Sequence, residues 1–225
     1  MTNTNVSIVQ NYIEQVTNQK HFDRTFDFCA ETCVTHSHPY VGLGVNFDDT
    51  SGEHLILTQL APGGPADGRL EIGDELVRVQ DGGHHWETFP ELRNGMWAQG
   101  VINTELTVTV RRHDNIFTIP LTRGRVEAFD LKLSEILPTM VPYINKFWPD
   151  LHSEIRTIFG NDEMVACYLV NSGTSLEYDQ SAVWGEIDIF RLEKGKITEI
   201  WGVENTFSEM KQLGFQITAP VRELA

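Results

Sequence analysis

Asp188-Ile189-Phe190-Arg191-Leu192-Glu193-Lys194-Gly195-Lys196-Ile197-Thr198-Glu199-Ile200-Trp201 is the stretch on which the fold turns. Apolar and polar residues alternate on both sides of Glu193-Lys194-Gly195. The pattern predicts a hairpin of two strands, Val183 to Leu192 and Lys196 to Asn205. Upstream, Met164 to Val170 is a nearly continuous apolar run, as in a buried strand, and Ile155 to Phe159 alternates weakly. Ser134 to Phe147 reads as helical in parts, with Pro138 and Pro142 expected to interrupt or kink it. At the start of the chain Val6, Val9, Tyr12, Ile13 and Val16 recur at helical spacing, which predicts an amphipathic helix over about residues 5 to 18. A shorter helix follows through Phe22, Phe26 and Cys29. Helices followed by a run of antiparallel strands predict an α+β cone.

Between these flanks, Val41 to Arg125 reads as a complete small domain inserted into another. It opens with Gly42-Leu43-Gly44-Val45 and passes through Ala61-Pro62-Gly63-Gly64-Pro65-Ala66 to Ile72-Gly73-Asp74-Glu75-Leu76. It closes on two alternating strands, Leu106 to Arg111 and Ile116 to Leu121. Glycine tolerates positive φ, so a Gly-x-Gly turn lets backbone N–H groups converge into a nest for a carboxylate. The strand Val45-Asn46-Phe47 would then offer its edge to an extended peptide.

Two family resemblances rest on these residues. Residues 41–125 resemble a PDZ domain of the kind found in bacterial carboxy-terminal processing proteases, down to the Leu121-Thr122-Arg123 step. That resemblance implies binding of a peptide or protein C-terminus at Gly42, Leu43, Gly44, Val45, Asn46 and Phe47. The closing hairpin, with Gln212-Leu213-Gly214 after it, Thr35-His36-Ser37-His38-Pro39 and Phe147-Trp148-Pro149-Asp150-Leu151, is similar to SnoaL-like proteins of the nuclear transport factor 2-like fold. The implied organisation is a discontinuous SnoaL-like domain, residues 1–40 and 126–225, interrupted by a PDZ domain. That fold hosts cyclases, isomerases, hydrolases and non-catalytic proteins, so it does not by itself define a reaction.

A formal net charge of −15 over 225 residues disfavours nucleic acid and anionic membranes as partners. The first residues form no signal peptide, and no apolar run is long enough to span a bilayer. Three cysteines make no disulfide framework, which points to a reduced, cytoplasmic protein. No cofactor motif is present.

Alternation places Glu199, Trp201, Val203 and Asn205 on one strand face, and Trp184, Glu186, Asp188 and Phe190 on a face of the partner strand. In SnoaL-like cyclases the resemblance implies an acidic acid/base residue at Asn205, where this chain has an amide that exchanges no proton near neutral pH. Glu204 is adjacent but belongs to the opposite face unless a bulge turns it. The candidate catalytic set is therefore His36, Asp188 and Asn205. Asp188 or Glu186 would act as general base, and Asn205 would orient a carbonyl. Tyr12, His38, Trp184, Glu186 and Trp201 are the candidate pocket residues for a small apolar or hydroxylated ligand. The bland alternatives are a solvated face with ion pairs to Arg191 or Lys196, and hydrogen-bonded histidines anchoring the insert. Cys29, Cys33, His36 and His38 raise a zinc reading, but Cys29 follows an apolar pattern that suits a buried thiol, so no metal is assigned.

Two functions follow: a small-molecule enzyme or binding protein built on the cone, or a scaffold whose inserted module recognises peptide C-termini, with homodimerisation open to either. The chain's own end, Glu223-Leu224-Ala225, is a further candidate occupant of the Gly42-Leu43-Gly44 nest.

Overall fold

The computed structural model describes residues 4–216, so the candidate tail ligand Glu223 to Ala225 lies outside the described residues. Within them the chain divides into two compact units, residues 4–36 with 131–216, and residues 37–130.

The first unit begins with α1 (Thr4–Tyr12), which runs on into a π-helical segment, Ile13–Asn18. Val9, Ile13 and Val16 are its buried residues, as the helical spacing requires. The side chain of Asn18 accepts from Ser153 N at 2.8 Å and donates to Ser153 O at 3.0 Å, which ties the end of this helix to the sheet. A short α2 (Thr25–Phe28) leads into β1 (Cys29–His36), so the expected second helix stops at Phe28 and Cys29 and Cys33 belong to a strand.

The second unit contains β2 (Tyr40–Gly42), β3 (Val45–Asp48), β4 (Leu55–Leu60), β5 (Glu75–Asp81), β6 (His84–Trp86), α3 (Phe89–Asn94), β7 (Glu105–Arg112), β8 (Asn115–Thr122) and β9 (Gly124–Val126). Its main sheet has the order β3-β4-β5-β7-β8, with β6 paired to β5. Leu43, Leu57, Val79, Val108 and Val110 fill its core. Asp74 is buried and takes a two-pronged pair from Arg112, both bonds 2.7 Å, which compensates a charge that would otherwise be costly to bury. Pro120 sits on β8, an edge strand, where a missing N–H is tolerated. The ends of this unit meet: Tyr40 pairs with Val126 across β2 and β9, so the expected boundaries at residues 40 and 126 both fall inside the second unit.

The first unit resumes with β10 (Asp130–Lys132), α4 (Leu133–Phe147), β11 (His152–Gly160), β12 (Met164–Ser175), β13 (Gln180–Glu193), β14 (Lys196–Glu204) and α5 (Thr206–Gln212). Its sheet has the order β10-β1-β14-β13-β12-β11. β11 to β14 form an antiparallel meander, whereas β1 joins β14 in parallel, a crossover that the sequence pattern does not disclose. Lys194 and Gly195 form the β13–β14 turn with φ of 51° and 76°. Two successive left-handed residues are what a tight hairpin needs to match the strand twist, and Glu193 pairs with Lys196 across it. α4 runs through both Pro138 and Pro142, four residues apart and both exposed, so the lost backbone bonds lie on the solvent side.

Two apolar clusters build this unit. One joins Val9 and Ile13 of the first helix to Cys29, Cys33, Val165, Cys167, Leu169, Phe190, Leu192 and Ile197. The other joins Trp148, Ala182, Trp184 and Leu213. α4 spans from one to the other: Leu133, Ile136 and Leu137 pack in the first and Phe147 in the second. Each large side chain fully buried in these clusters contributes about 1.5–3 kcal/mol relative to exposure.

Candidate active site

Paired residues of neighbouring strands share a face of the sheet. On β13, Ala182, Trp184, Glu186, Asp188 and Phe190 alternate onto the face that carries the two apolar clusters. Opposite Glu186, Asp188 and Phe190, β14 places Glu204, Gly202 and Ile200. On the other side, β12 places Asn171 opposite Trp184, Leu169 opposite Glu186 and Cys167 opposite Asp188. Tyr12 reaches the same face from α1, its ring edge-on to Phe190 at 6.3 Å. Trp184 belongs to one apolar cluster and Phe190 to the other, so Glu186 and Asp188 occupy the stretch of β13 between them.

Gly202 makes this packing possible. A Cβ added there would lie 2.7 Å from Asp188 Oδ1 and 3.4 Å from Glu186 Oε1. The two carboxyl groups are within hydrogen-bond reach of each other. Asn171 Nδ2 donates to Glu186 Oε2 at 2.5 Å and fixes that carboxylate from the β12 side. Burial, then the charge of Glu186 and the hydrogen bond with it, then Glu204, push the Asp188 carboxyl up to about 8. Two acids so placed cannot both ionise cheaply, and Asp188 keeps its proton. Burial first, with charge from Cys29, Cys33 and Asp188, holds the Tyr12 hydroxyl in its neutral form. Burial and the Asp188 charge likewise push the Cys167 thiol up to about 12.

The acidic line continues outward. The Glu204 carboxyl is held above its ordinary value by partial withdrawal from water and by Glu186, although the residue as a whole is exposed. Glu209 on α5 is pushed up to about 7 by burial and by Glu204. Among the described residues none of Glu186, Asp188, Glu204 and Glu209 is ion-paired with a Lys, Arg or His.

The structure divides the expected site residues between two faces. Tyr12, Trp184, Glu186 and Asp188 come together. Trp201 does not join them: it pairs with Ile189 on one side and His36 on the other, which puts it on the opposite face with Glu199 and Val203. There His36 stacks on Trp201, centroids 4.3 Å apart and planes within 10°, and His36 Nε2 lies 3.0 Å from Glu199 Oε2. Arg191 pairs with the other oxygen of Glu199 at 2.8 Å. His36 is therefore part of an outer-face polar cluster rather than a partner of Asp188. Asn205 lies just past β14 as the N-cap of α5, its side chain accepting from Ser208 N at 3.1 Å, so its side chain is engaged in ending the strand and starting the helix. His38 is exposed and belongs to the second unit.

Cys29 and Cys33 are buried in the first apolar cluster, and hydrogen bonding to Cys33, then burial, raises the Cys29 thiol far above its ordinary value. Among the described residues no group of three His, Cys, Asp or Glu side chains is arranged to hold a metal ion. The sequence reading missed Asn171, Gly202 and Glu209. A glycine inside an alternating strand, as at Gly202, signals close approach of another group.

In the second unit β3 is an edge strand, and a groove beside it is lined by Val45, Asn46, Phe47, Leu92, Arg93 and Trp97. Gly44 has a φ of 76°, and a Cβ there would meet Ala61 Cβ at 2.9 Å, so the turn requires glycine. Leu43 N–H already donates to Ala98 O at 2.9 Å, which removes it from the expected carboxylate nest. Gly42 is buried in the β2–β9 pair.

Comparison with known proteins gives the fold. The structure is similar to that of IdmH from Streptomyces antibioticus, a candidate polyketide cyclase, with a TM-score of 0.50 at 12% identity over 95% of this chain and 100% of that one. A candidate polyketide cyclase from Acidithiobacillus ferrooxidans follows, with a TM-score of 0.47 at 10% identity over 95% of this chain and 96% of that one. A candidate SnoaL-like polyketide cyclase from Jannaschia sp. CCS1 has a TM-score of 0.45 at 7% identity over 95% of this chain and 94% of that one. No protein-family model and no curated protein matches the sequence. The mixed helix-and-sheet architecture is thus like that of IdmH, and the likeness is one of fold. No helix among the described residues is long and apolar enough to cross a membrane.

The Asp188 environment predicts how stability depends on pH. The folded-state value, about 8, stands above the ordinary 3.8. Its contribution is therefore fully present below about pH 4 and is lost as pH rises through the folded value near 8. Asp188→Asn removes the charge that the folded chain must otherwise bear. Thermal melts should show the variant more stable than wild type by several degrees at pH 9 and equal to it at pH 4. Equal melting at both would show that Asp188 ionises without cost.

Proposed function

We propose that the chain is a small-molecule enzyme of the cyclase or isomerase type, in which Asp188 carries the proton. The observation behind this reading is the contact of Asp188 with Glu186, half-buried against Gly202 between two apolar clusters. A carboxyl group that holds its proton near neutral pH can donate it to a carbonyl or enolate oxygen, and as carboxylate it can take one from an adjacent carbon. Glu186 stabilises the protonated form of Asp188 and is itself oriented by Asn171. Neutral Tyr12 supplies a hydroxyl on the same face for a developing oxyanion. Tyr12, Phe190, Trp184 and Trp148 suit an apolar or hydroxylated ring. Fold analogy with the candidate polyketide cyclases agrees with such a ligand. The exposed outer-face row Tyr168, Ile187 and Val203 supports self-association through that face. Three free, buried cysteines favour a reducing, cytoplasmic setting.

The test is deuterium uptake at the α-carbon of 1-tetralone in D₂O, followed by proton NMR. Wild type should accelerate exchange, and Asp188→Asn should lose the acceleration by about 100-fold or more, the usual size of one acid–base group. Undiminished exchange in the variant removes Asp188 from the chemistry.

A second reading is carried by the edge strand β3 and its groove: residues 41–125 act as a PDZ-type module for peptide C-termini. A labelled peptide ending in Glu-Leu-Ala with a free carboxylate should bind, and its C-terminal amide should not. Equal binding of the two, or none of either, removes carboxylate recognition.

A further inference from the structure

The acidic face has a property that acid–base catalysis alone does not require. Three carboxylates, Glu186, Asp188 and Glu204, converge around Gly202, and Glu209 follows on α5, with no described cation paired to any of them. An uncompensated cluster of this kind disfavours folding unless something positive enters it. Protons answer part of the charge. They leave a second feature unanswered: the side-chain oxygen of Asn171 has no hydrogen-bond partner, and Asn171 is only 4% exposed. Its Nδ2 is committed to Glu186, so Oδ1 is held as an acceptor. An orphaned buried acceptor is costly, and the group that relieves it must donate.

We propose that this face binds a ligand bearing a protonated amine next to an aromatic or alicyclic ring. The ammonium group would donate to Glu186, Glu204 and Asn171 Oδ1, satisfying the orphan and offsetting the charge together. A ring would lie against Trp184, Tyr12 and Phe190, where aromatic faces also favour a nearby cation. An ammonium carries three donors and no acceptor, the complement of a site with an excess of acceptors. A neutral hydroxylated ring satisfies the apolar walls but leaves the carboxylates unpaired.

The inference rests on the acid–base reading of this face and narrows its substrate class. The experiment separates the two. Titration calorimetry at pH 7 compares 2-phenylethylamine with 2-phenylethanol, which matches it in shape without the charge. The amine should bind about tenfold or more tightly than the alcohol, the equivalent of one charge-assisted hydrogen bond. Glu204→Gln at the exposed rim should weaken amine binding without affecting folding, and Asn171→Leu should weaken it further. Glu193→Gln, in the distant hairpin turn, serves as the charge control and should bind as wild type does. Alongside, carbon-13 NMR follows the Asp188 carboxyl through its titration. Equal binding of amine and alcohol, or binding of the amine unchanged in Glu204→Gln, overturns the amine proposal. If Asp188 still titrates near 8, the acid–base reading survives that result. If Asp188 titrates in the ordinary carboxylate range, both fall together.

Discussion

The register of β13 against its neighbours decides what this protein can do. Side chains alternate along a strand with a period of two, so a slip of one residue would move every group to the other face. The Lys194-Gly195 turn fixes the hairpin end, and Glu193 opposite Lys196 sets the register at that end. A register shift between Arg191 and Leu192 then brings Asp188 opposite Gly202 and Glu186 opposite Glu204. With this pairing three carboxylates meet on the face covered by the first helix and α4. Shifted by one, that face would carry Ile187, Ile189 and Val203, and no proton chemistry would be available on it.

The same constraint explains which parts of the site were readable in the sequence. The hairpin, its turn, the Met164 strand and the first helix are all legible, although that strand is buried on alternate residues only and Tyr168 is exposed. The choice of face is not. Hydrophobic patterning assigns the more apolar side of a strand to the interior, and here that side is Ile187, Ile189, Trp201 and Val203, which faces outward. The inner side carries Glu186, Asp188, Gly202 and Glu204 between its apolar residues. A functional interior thus violates the pattern used to find interiors, as sites that bury charge commonly do. The resemblance to SnoaL-like cyclases likewise implies a pocket-side place for Trp201 and Asn205, and alternation alone does not choose between the two faces. Asn205 did announce its role locally: an Asn ahead of Thr206-Phe207-Ser208-Glu209 is a helix cap, and the cap takes its side chain.

The long-range features were out of reach of local patterns for a different reason. The parallel pairing of β1 with β14 joins residues about as far apart in the chain as any in the sheet, and only the whole fold brings His36 to Trp201. Asn171 gains its meaning from Glu186, which lies diagonally across from it on the neighbouring strand. Gly202 gains its meaning from the Asp188 oxygen it leaves room for. In the second unit, by contrast, the glycine-rich turn and the edge strand after it lie in one continuous stretch of sequence. The Leu43 N–H, taken by Ala98, and Gly42, buried in the β2–β9 pair, fall outside what the motif alone conveys.

The central claim is that Asp188 is a protonated acid at neutral pH, poised between two apolar clusters beside Glu186. The most direct measurement is the infrared difference spectrum between wild type and Asp188→Asn at pH 7, in H₂O and in D₂O. The account predicts a carbonyl-stretch band of a protonated carboxylic acid in wild type that shifts in D₂O, is absent from the variant and fades as pH is raised through about 8. A wild-type spectrum showing only ionised carboxylate bands at pH 7 would contradict it.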